Sequence, residues 1–599
     1  MSHITHFALS LRSSQQTITR TLHLLWRAAP FETVALTVLL LIQSFAPAAN
    51  LYVVKTIIDV ISTDPASHQI IPFALLWMFI VLIQESTASW VSLVQGNLSE
   101  KLLEHVNLEV VRKTISFQGI QYFEDSKFYD EIEFIKNNSG WRPSNLIWYM
   151  LSTFRETITV LSILFLLSSI AWWITPILLA ATLPQIIAYA RLQQKTYAAL
   201  NAQTRELRAM HYYRNVLITD TFAKEVRLFA LGEFFIERYR EAAKRAFGEL
   251  RHLRNIEARI TILLTLISAV AISIAFFYTV SLAASGSLAI SSVVIFIQSL
   301  AVIQKQLTDL AEFGVTGLFE NLVYMQRLFS FLDLSPDLPV PTIPAAKITV
   351  IEKGICFDGV SFNYPDGRTG VTDLSLHLLP HQTVAIVGEN GAGKTTLVKL
   401  LARFYDPTEG QILVDNTPLT ELDLPHWRAK IATVFQDFNQ YQLTLYENIA
   451  LGRLNTPLDI DQIAASAGLQ YLIRQLPNGD QTMLGKQFEG TELSGGQWQK
   501  IALARAFARL DQAQLLILDE PSAALDPRAE YELFQQFAAI SKGKLTLLIT
   551  HRLASIQMAD RILVMKSGHI VEDGNHYSLL AKNGEYAELW RIQAQQYSL

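Results

Sequence analysis

Apolar residues are not spread evenly along the 599 residues of this chain; they gather before about residue 310. A helix that crosses a hydrocarbon core needs roughly 20 mostly apolar residues. Six segments qualify or nearly do: about 33–58, 70–94, 146–171, 173–191, 260–284 and 288–310. Three connections between them are short, Ile61–Ile70, Ala171–Thr175 and Ala283–Ser287, and none contains Lys or Arg. Two are long, roughly 95–145 and 191–259, and the second carries fourteen Lys and Arg, among them Arg191, Arg205, Arg227, Arg240 and Arg259. This positive bias places both long connections and both termini in the cytoplasm. Residues 225–259 keep apolar positions at helical spacing (Val226, Phe229, Phe234, Phe235, Tyr239) among many charges. The spacing predicts spans that continue as helices into the cytoplasm. Each pair of extensions is expected to end in a short helix that touches another domain, near Tyr122–Tyr129 and near Tyr212–Thr221.

The pattern changes on either side of these spans. Residues 1–30 place Arg12, Arg20 and Arg27 beside Leu22, Leu24, Leu25 and Trp26, without a short apolar core and cleavage site. That predicts an amphipathic lead-in helix on the cytoplasmic membrane face rather than a secretory signal. The transmembrane domain then covers 31–315. Ser335, Pro336, Pro339, Pro341 and Pro344 interrupt any continuous helix, so 316–349 is read as a linker. From 350 to 599 short β-branched runs alternate with helical stretches, as in an α/β domain. The expected architecture is a six-span helical membrane domain with long cytoplasmic extensions, followed by an α/β phosphate-loop ATPase domain.

Composition sharpens this picture. Half of the residues are hydrophobic and 17% are charged, below the roughly 25% of soluble domains. The net charge of -5 argues against nucleic acid as a partner. Cys356 stands alone, so there is no disulfide framework or cysteine metal cluster, and it is read as a small buried hydrophobe. Ionisable residues inside spans are functional candidates. Glu85 and Arg155 lie at similar depths, about fifteen and sixteen residues from the outer ends of their spans at about 1.5 Å each. A Glu85–Arg155 pair would either hold two helices together or touch substrate; Glu156 sits beside it. Lys55 and Asp59 are expected to reach water near an outer end. Trp148, Tyr149, Phe276, Phe277 and Tyr278 either pack or line a cavity.

The chemistry lies in the soluble half. Thr383–Val387 reads as a buried strand and runs into Gly388-Glu389-Asn390-Gly391-Ala392-Gly393-Lys394-Thr395, after which Thr396–Leu401 begins a helix. Strand, glycine-rich loop and helix together form a phosphate-binding context. The loop N–H groups wrap the β-phosphate and the helix N-terminus adds positive potential. Lys394 is expected at the β- and γ-phosphates and Thr395 on Mg²⁺. Leu515–Leu518 is a second buried strand, ending at Asp519-Glu520. Asp519 is read as holding Mg²⁺ through water and Glu520 as polarising the attacking water. His551 and Gln436 each follow a further apolar run. Leu493-Ser494-Gly495-Gly496-Gln497 precedes a helical stretch, Trp498–Arg509, whose N-terminus suits an anion. It does not easily reach the first loop within one chain, which suggests a site shared between two copies.

The order of Tyr364, the phosphate loop, Gln436, Leu493–Gln497, Asp519-Glu520, Asp526 and His551 resembles the ATP-binding cassette of ABC transporters. Six spans followed by one cassette look like the exporter-type half-transporter. The resemblance implies that Tyr364 stacks on adenine and that Gly388–Thr396 hold ATP. It implies that Gln436 senses Mg²⁺ and the attacking water, and that His551 holds the γ-phosphate. Ser494, Gly495, Gly496 and Gln497 would bind the γ-phosphate of ATP held by the opposite cassette, and Asp526 would bridge the two. One stretch departs from the family pattern. Where exporter cassettes often carry an acidic Gly-Glu segment, this chain reads Leu484-Gly485-Lys486-Gln487-Phe488-Glu489-Gly490.

Taken together, these features predict an ATP-driven exporter half in a bacterial inner membrane, multi-pass, working as a homodimer or with a related half-transporter. Its cofactors are ATP and Mg²⁺. Segments Tyr122–Asp130 and Lys224–Phe229 look like those of multidrug and peptide exporters, so the expected substrate is an amphipathic drug, peptide or lipid. No protease domain precedes the first span in this sequence, so a processing exporter is not expected. The alternatives are an importer on the same fold, or a soluble ABC ATPase of repair or translation, which six spans disfavour.

Overall fold

A computed structural model describes the chain except residues 1, 64–67, 171, 174, 177–178, 181–182, 185–186, 189–190, 193–204, 340–346, 455, 522–536, 538–540, 551, 553–555 and 598–599. The chain divides into two compact units, Met1–Thr114 with Asp130–Leu334, and Ile115–Tyr129 with Ser335–Leu599.

The first unit is helical. Five helices among the described residues are long and apolar enough to cross a membrane: Pro30–Thr63, Ile70–Ser116, and segments Arg142–Ser168, Gly232–Ala284 and Ile290–Gly314. Nine of the nineteen residues of the fourth expected span, 173–191, lie outside the described residues. Helix Gly232–Ala284 has 53 residues, about 80 Å at 1.5 Å per residue, against a hydrocarbon core of about 30 Å. Its first half carries the charges (Arg238, Arg240, Lys244, Arg245, Arg251) and its second half the apolar run. A core of Leu51, Val160, Ile163, Leu167, Phe296 and Ile303 joins helices of this unit. Outward-facing Leu75, Phe79, Trp90, Leu263, Leu266 and Phe277 are exposed. That is the inverse of a soluble bundle and the surface a lipid solvent requires.

Several expectations about this unit are corrected. Arg155 does not pair with Glu85. Its guanidinium bonds Glu156, its own neighbour, and reaches Gln43 at 3.5 Å, while Glu85 is exposed. Asp59 accepts a hydrogen bond from the Ser291 hydroxyl and is half-buried rather than free in water. The second short helix runs over Asp220–Leu228, whereas Tyr212 lies inside helix Arg205–Ile218. The stretch read as the start of a linker is helical through Leu332, by way of a π-helical turn, Leu310–Gly317. Prolines begin only at Pro336, and Tyr324, Leu328 and Phe331 are buried. Of the candidate aromatics, Tyr149 packs against Phe313 at 5.9 Å and Tyr278 against Trp173 at 5.0 Å.

The second unit holds two sheets. Strands β1 (Ile355–Asn363), β2 (Thr369–Leu378), β4 (Glu409–Val414) and β5 (Thr417–Pro418) form an antiparallel sheet in the order β2-β1-β4-β5. Cys356 lies in β1 and is only partly buried. The larger sheet contains β3 (Thr383–Gly388), β6 (Ile431–Val434), β7 (Leu515–Asp519), β8 (Leu545–Ile549), β9 (Arg561–Lys566) and β10 (His569–Gly574), in the order β10-β9-β3-β8-β7-β6. Every neighbouring pair is parallel except β9 and β10. Strands β7 and β8 are buried at every position, as parallel strands covered on both faces must be. The carboxyl ends of β3 and β7 therefore open on one side of the sheet, where α/β sheets bind ligands.

Segment Ile115–Tyr129 belongs to this second unit. Helix Gln121–Glu124 is held by an aromatic group, with Tyr122 stacked on Phe128 at 5.0 Å and tilted on Phe117 at 4.8 Å. The Ile120 amide donates to the Phe404 carbonyl at 3.3 Å, and Arg428 donates to the Gln118 carbonyl at 2.6 Å. A Cβ on Gly119 would stand 2.6 Å from the Phe404 carbonyl oxygen, so only glycine allows this approach.

Candidate functional site

The site forms where β3 hands over to helix Lys394–Leu401. Gly388 has φ +152° and Gly393 φ +103°. A Cβ on either would meet a carbonyl oxygen, of Met565 at 2.2 Å or of Gly370 at 2.6 Å. These two glycines let the loop 389–393 fold tightly beneath the helix N-terminus. Lys394 Nζ donates to the carbonyls of Gly388 and Glu389 at 2.7 and 2.9 Å. Burial pushes its ammonium below the ordinary lysine range, against the pull of Glu520 and Asp519.

Asp519 ends β7 and is 2% exposed. Burial, with the Glu520 carboxylate beside it, pushes Asp519 up to about 6. Its Oδ2 lies 3.5 Å from Thr395 Oγ1. Glu520 follows with φ +47°, a left-handed conformation that costs a non-glycine residue about 1 kcal/mol or more. Its Oε2 accepts a hydrogen bond from Gln436 Nε2 at 2.9 Å, and Gln436 stands just beyond β6. Thr395, Asp519, Glu520 and Gln436 thus form one connected row.

A cavity of about 590 Å³ opens over this row, from Lys394 at one end to Tyr364 at the other. The Tyr364 hydroxyl is 3.0 Å from Thr396 Oγ1. Two cations lie over its ring, Arg368 at 5.2 Å and Lys399 at 5.4 Å from the centroid. The wall also includes Asn390, Gly391 and Ala392. Sequence reasoning missed Arg368, Lys399 and Glu124. Arg368, four residues past Tyr364 in a Gly-containing turn, left a local signal, and Lys399 shares the phosphate-loop helix.

Ser494 caps helix Gly495–Phe507. Its Oγ accepts from the Gln497 amide at 3.3 Å, and Gln497 Oε1 accepts from the Ser494 amide at 2.7 Å. Among the described residues lining the cavity, none comes from Ser494–Gln497 of the same chain. Lys486 pairs with Glu492 at 2.9 Å, and Glu489 occupies a left-handed turn. Asp526 and His551 lie outside the described residues.

Residues 371–523 match the ABC transporter family, and residues 33–307 match the ABC transporter transmembrane region. The subtilin transport ATP-binding protein SpaT of Bacillus subtilis is 30% identical over 553 residues, 90% of this chain and 88% of the relative. The nisin transport ATP-binding protein NisT of Lactococcus lactis is 28% identical over 586 residues, 96% of both chains. The ATP-dependent lipid A-core flippase of Alcanivorax borkumensis is 32% identical over 450 residues, 73% of this chain and 74% of the relative. Among solved structures, a bacterial Atm1-family ABC exporter with ATP bound shares the fold, with TM-score 0.76 over 94% of this chain and 98% of that chain at 24% identity. A membrane region and a nucleotide-binding domain matched in one chain, with a relative alike along most of its length, show that the chain belongs to the ABC transporter family, as an exporter-fold half-transporter and ATPase.

Proposed function

We propose that this chain exports an amphipathic peptide or lipid across a bacterial inner membrane, as a homodimer with both termini in the cytoplasm. The observation that carries the mechanism is the row Thr395–Asp519–Glu520–Gln436 at the floor of the cavity. ATP lies along it, with its phosphates at Gly388–Thr396 and its base at Tyr364. Thr395 and Asp519 offer hard oxygen donors, the chemistry that suits Mg²⁺. Two adjacent carboxylates, Glu520 among the groups that raise the proton affinity of Asp519, also suit a cation, because its charge relieves their repulsion. Bound there, the ion would neutralise charge on the phosphates. Glu520, oriented by Gln436, accepts the proton of the attacking water. His551 and Asp526 complete the set by position.

Ser494–Gln497 meet the γ-phosphate held by the other copy. That these residues cap a helix while lying apart from their own chain's cavity supports this reading. Closure of two cassettes on ATP then moves segment Ile115–Tyr129, which is continuous in the chain with helix Ile70–Ser116. The substrate class rests on the relatives, named for subtilin, nisin and lipid A-core.

The test is ATP-dependent uptake of a labelled peptide or lipid by vesicles of both orientations containing this chain. Accumulation in inside-out vesicles alone, lost with Glu520→Gln, is expected. Uptake only by right-side-out vesicles would make the protein an importer. Full ATPase activity in Glu520→Gln would overturn the hydrolytic roles.

A further inference from the structure

Glu124 comes from the short helix Gln121–Glu124, more than two hundred residues before the phosphate loop, yet it lines the nucleotide cavity. Lys399 Nζ donates to its Oε1 at 2.6 Å, and the Tyr405 hydroxyl donates to its Oε2. Each oxygen is therefore held by one donor. A carboxylate offers about four acceptor positions, so about two remain, and the side chain is about one-third exposed.

The position along the cavity decides what those acceptors meet. Its donor Lys399 lies over the Tyr364 ring with Arg368, which places this carboxylate toward the Tyr364 end, where both cations balance its charge. Lys399 stands five residues past Lys394 on one helix, about 7.5 Å along its axis. Its Nζ is 5.4 Å from the Tyr364 ring centroid. The group of a nucleotide that lies between phosphates and a base at Tyr364 is the sugar, whose donors are the 2′- and 3′-hydroxyls.

We propose that Glu124 is a specificity residue of this pocket, accepting a hydrogen bond from the ribose diol and so admitting ribonucleotides in preference to deoxynucleotides. Lys399 and Tyr405 are positioning residues that fix the carboxylate before the nucleotide arrives, which spares the ordering cost at binding. The inference rests on the placement of ATP given above.

The experiment compares kcat and KM of the full chain in lipid for ATP, 2′-deoxy-ATP and 3′-deoxy-ATP, in wild type, Glu124→Gln and Glu124→Ala. A hydrogen bond to a charged group predicts that wild type binds ATP about tenfold better than at least one deoxy analogue. Glu124→Ala raises KM for ATP to the level of that analogue and abolishes the preference, with kcat for ATP retained. Glu124→Gln, which keeps an acceptor, falls between. The wild-type comparison needs no mutant to fold. No preference in wild type, a preference that survives Glu124→Ala, or an equal rise in KM for all three nucleotides overturns the proposal. So does altered discrimination among bases with the sugar preference unchanged. Failure of the pocket reading itself would show separately, as ATP affinity untouched by Lys394→Ala.

Discussion

Asp519, at the end of β7, and Glu156, in helix Arg142–Ile170, are both almost fully buried, at 2% and 1% exposure, yet their neighbours differ in sign. Asp519 has a second carboxylate, Glu520, beside it and a hydroxyl at 3.5 Å. Glu156 has the Arg155 guanidinium bonded to it. The first arrangement sets two carboxylates against the single Lys394 ammonium on the wall of an open cavity, an excess of negative charge that is costly unless a cation or proton arrives. The second is a closed pair at Glu156 Oε1, while its Oε2 is buried without a hydrogen-bond partner. The difference sets two carboxylates open to a ligand against a carboxylate already paired within its own helix, and it makes the two burials separable by experiment.

The largest expected effect falls on the open site. Glu520→Gln should lower ATP hydrolysis by about 10²–10⁴-fold while ATP binding, followed by equilibrium titration, stays within a few fold. Loss of binding in step with hydrolysis would mean that Glu520 serves affinity rather than chemistry. On the closed site, Arg155→Ala leaves Glu156 buried and unpaired and should cost about 3 kcal/mol of stability, read as a lower unfolding midpoint of the purified protein. A stable Arg155→Ala protein that has lost transport would move this pair from structure to substrate contact.

Asp519 makes the comparison titratable. Its folded value of about 6 lies above its ordinary 3.8, so the folded state holds this proton more tightly than the unfolded one. Stability from this group is therefore fullest below about pH 4 and declines as pH rises through 6. Asp519→Asn removes that decline. Without nucleotide or metal it should stabilise the protein by about 3 kcal/mol at pH 7.5 and by little at pH 4, by the conversion of about 1.4 kcal/mol per unit. Equal effects at both pH values would refute the assignment. The smallest effect concerns Ser494: as a helix cap it should cost about 1 kcal/mol when replaced by Ala, and a larger loss in hydrolysis than in stability would mark its second role.

Sequence alone showed the phosphate loop, Gln436 and Asp519-Glu520, because each is a local run at the end of a strand whose burial is plain from its apolar residues. The long helices were legible for the same reason. What escaped came from contacts that sequence spacing does not encode. Glu124 enters the cavity through a hydrogen bond spanning 275 positions. The Arg155–Glu156 pair escaped because adjacent helical residues do not ordinarily face each other; the long arginine folds back to its neighbour. The helix through Leu332 was hidden by prolines that begin four residues later, which stop a helix but do not shorten it from a distance. The antiparallel sheet β2-β1-β4-β5 joins strands whose alternating burial resembles ordinary surface strands.

If a second copy completes each nucleotide cavity, residues of the two copies must meet there, and a cross-link reads that meeting. With Cys356→Ser as background, the double variant Asn390→Cys, Ser494→Cys in Glu520→Gln chains should form a disulfide or short bismaleimide bridge on addition of ATP. The expected product has twice the chain mass, about 135 kDa from 67.4 kDa per chain, and neither single variant yields it. A bridge confined within single chains, or dimers formed equally without ATP, would contradict it.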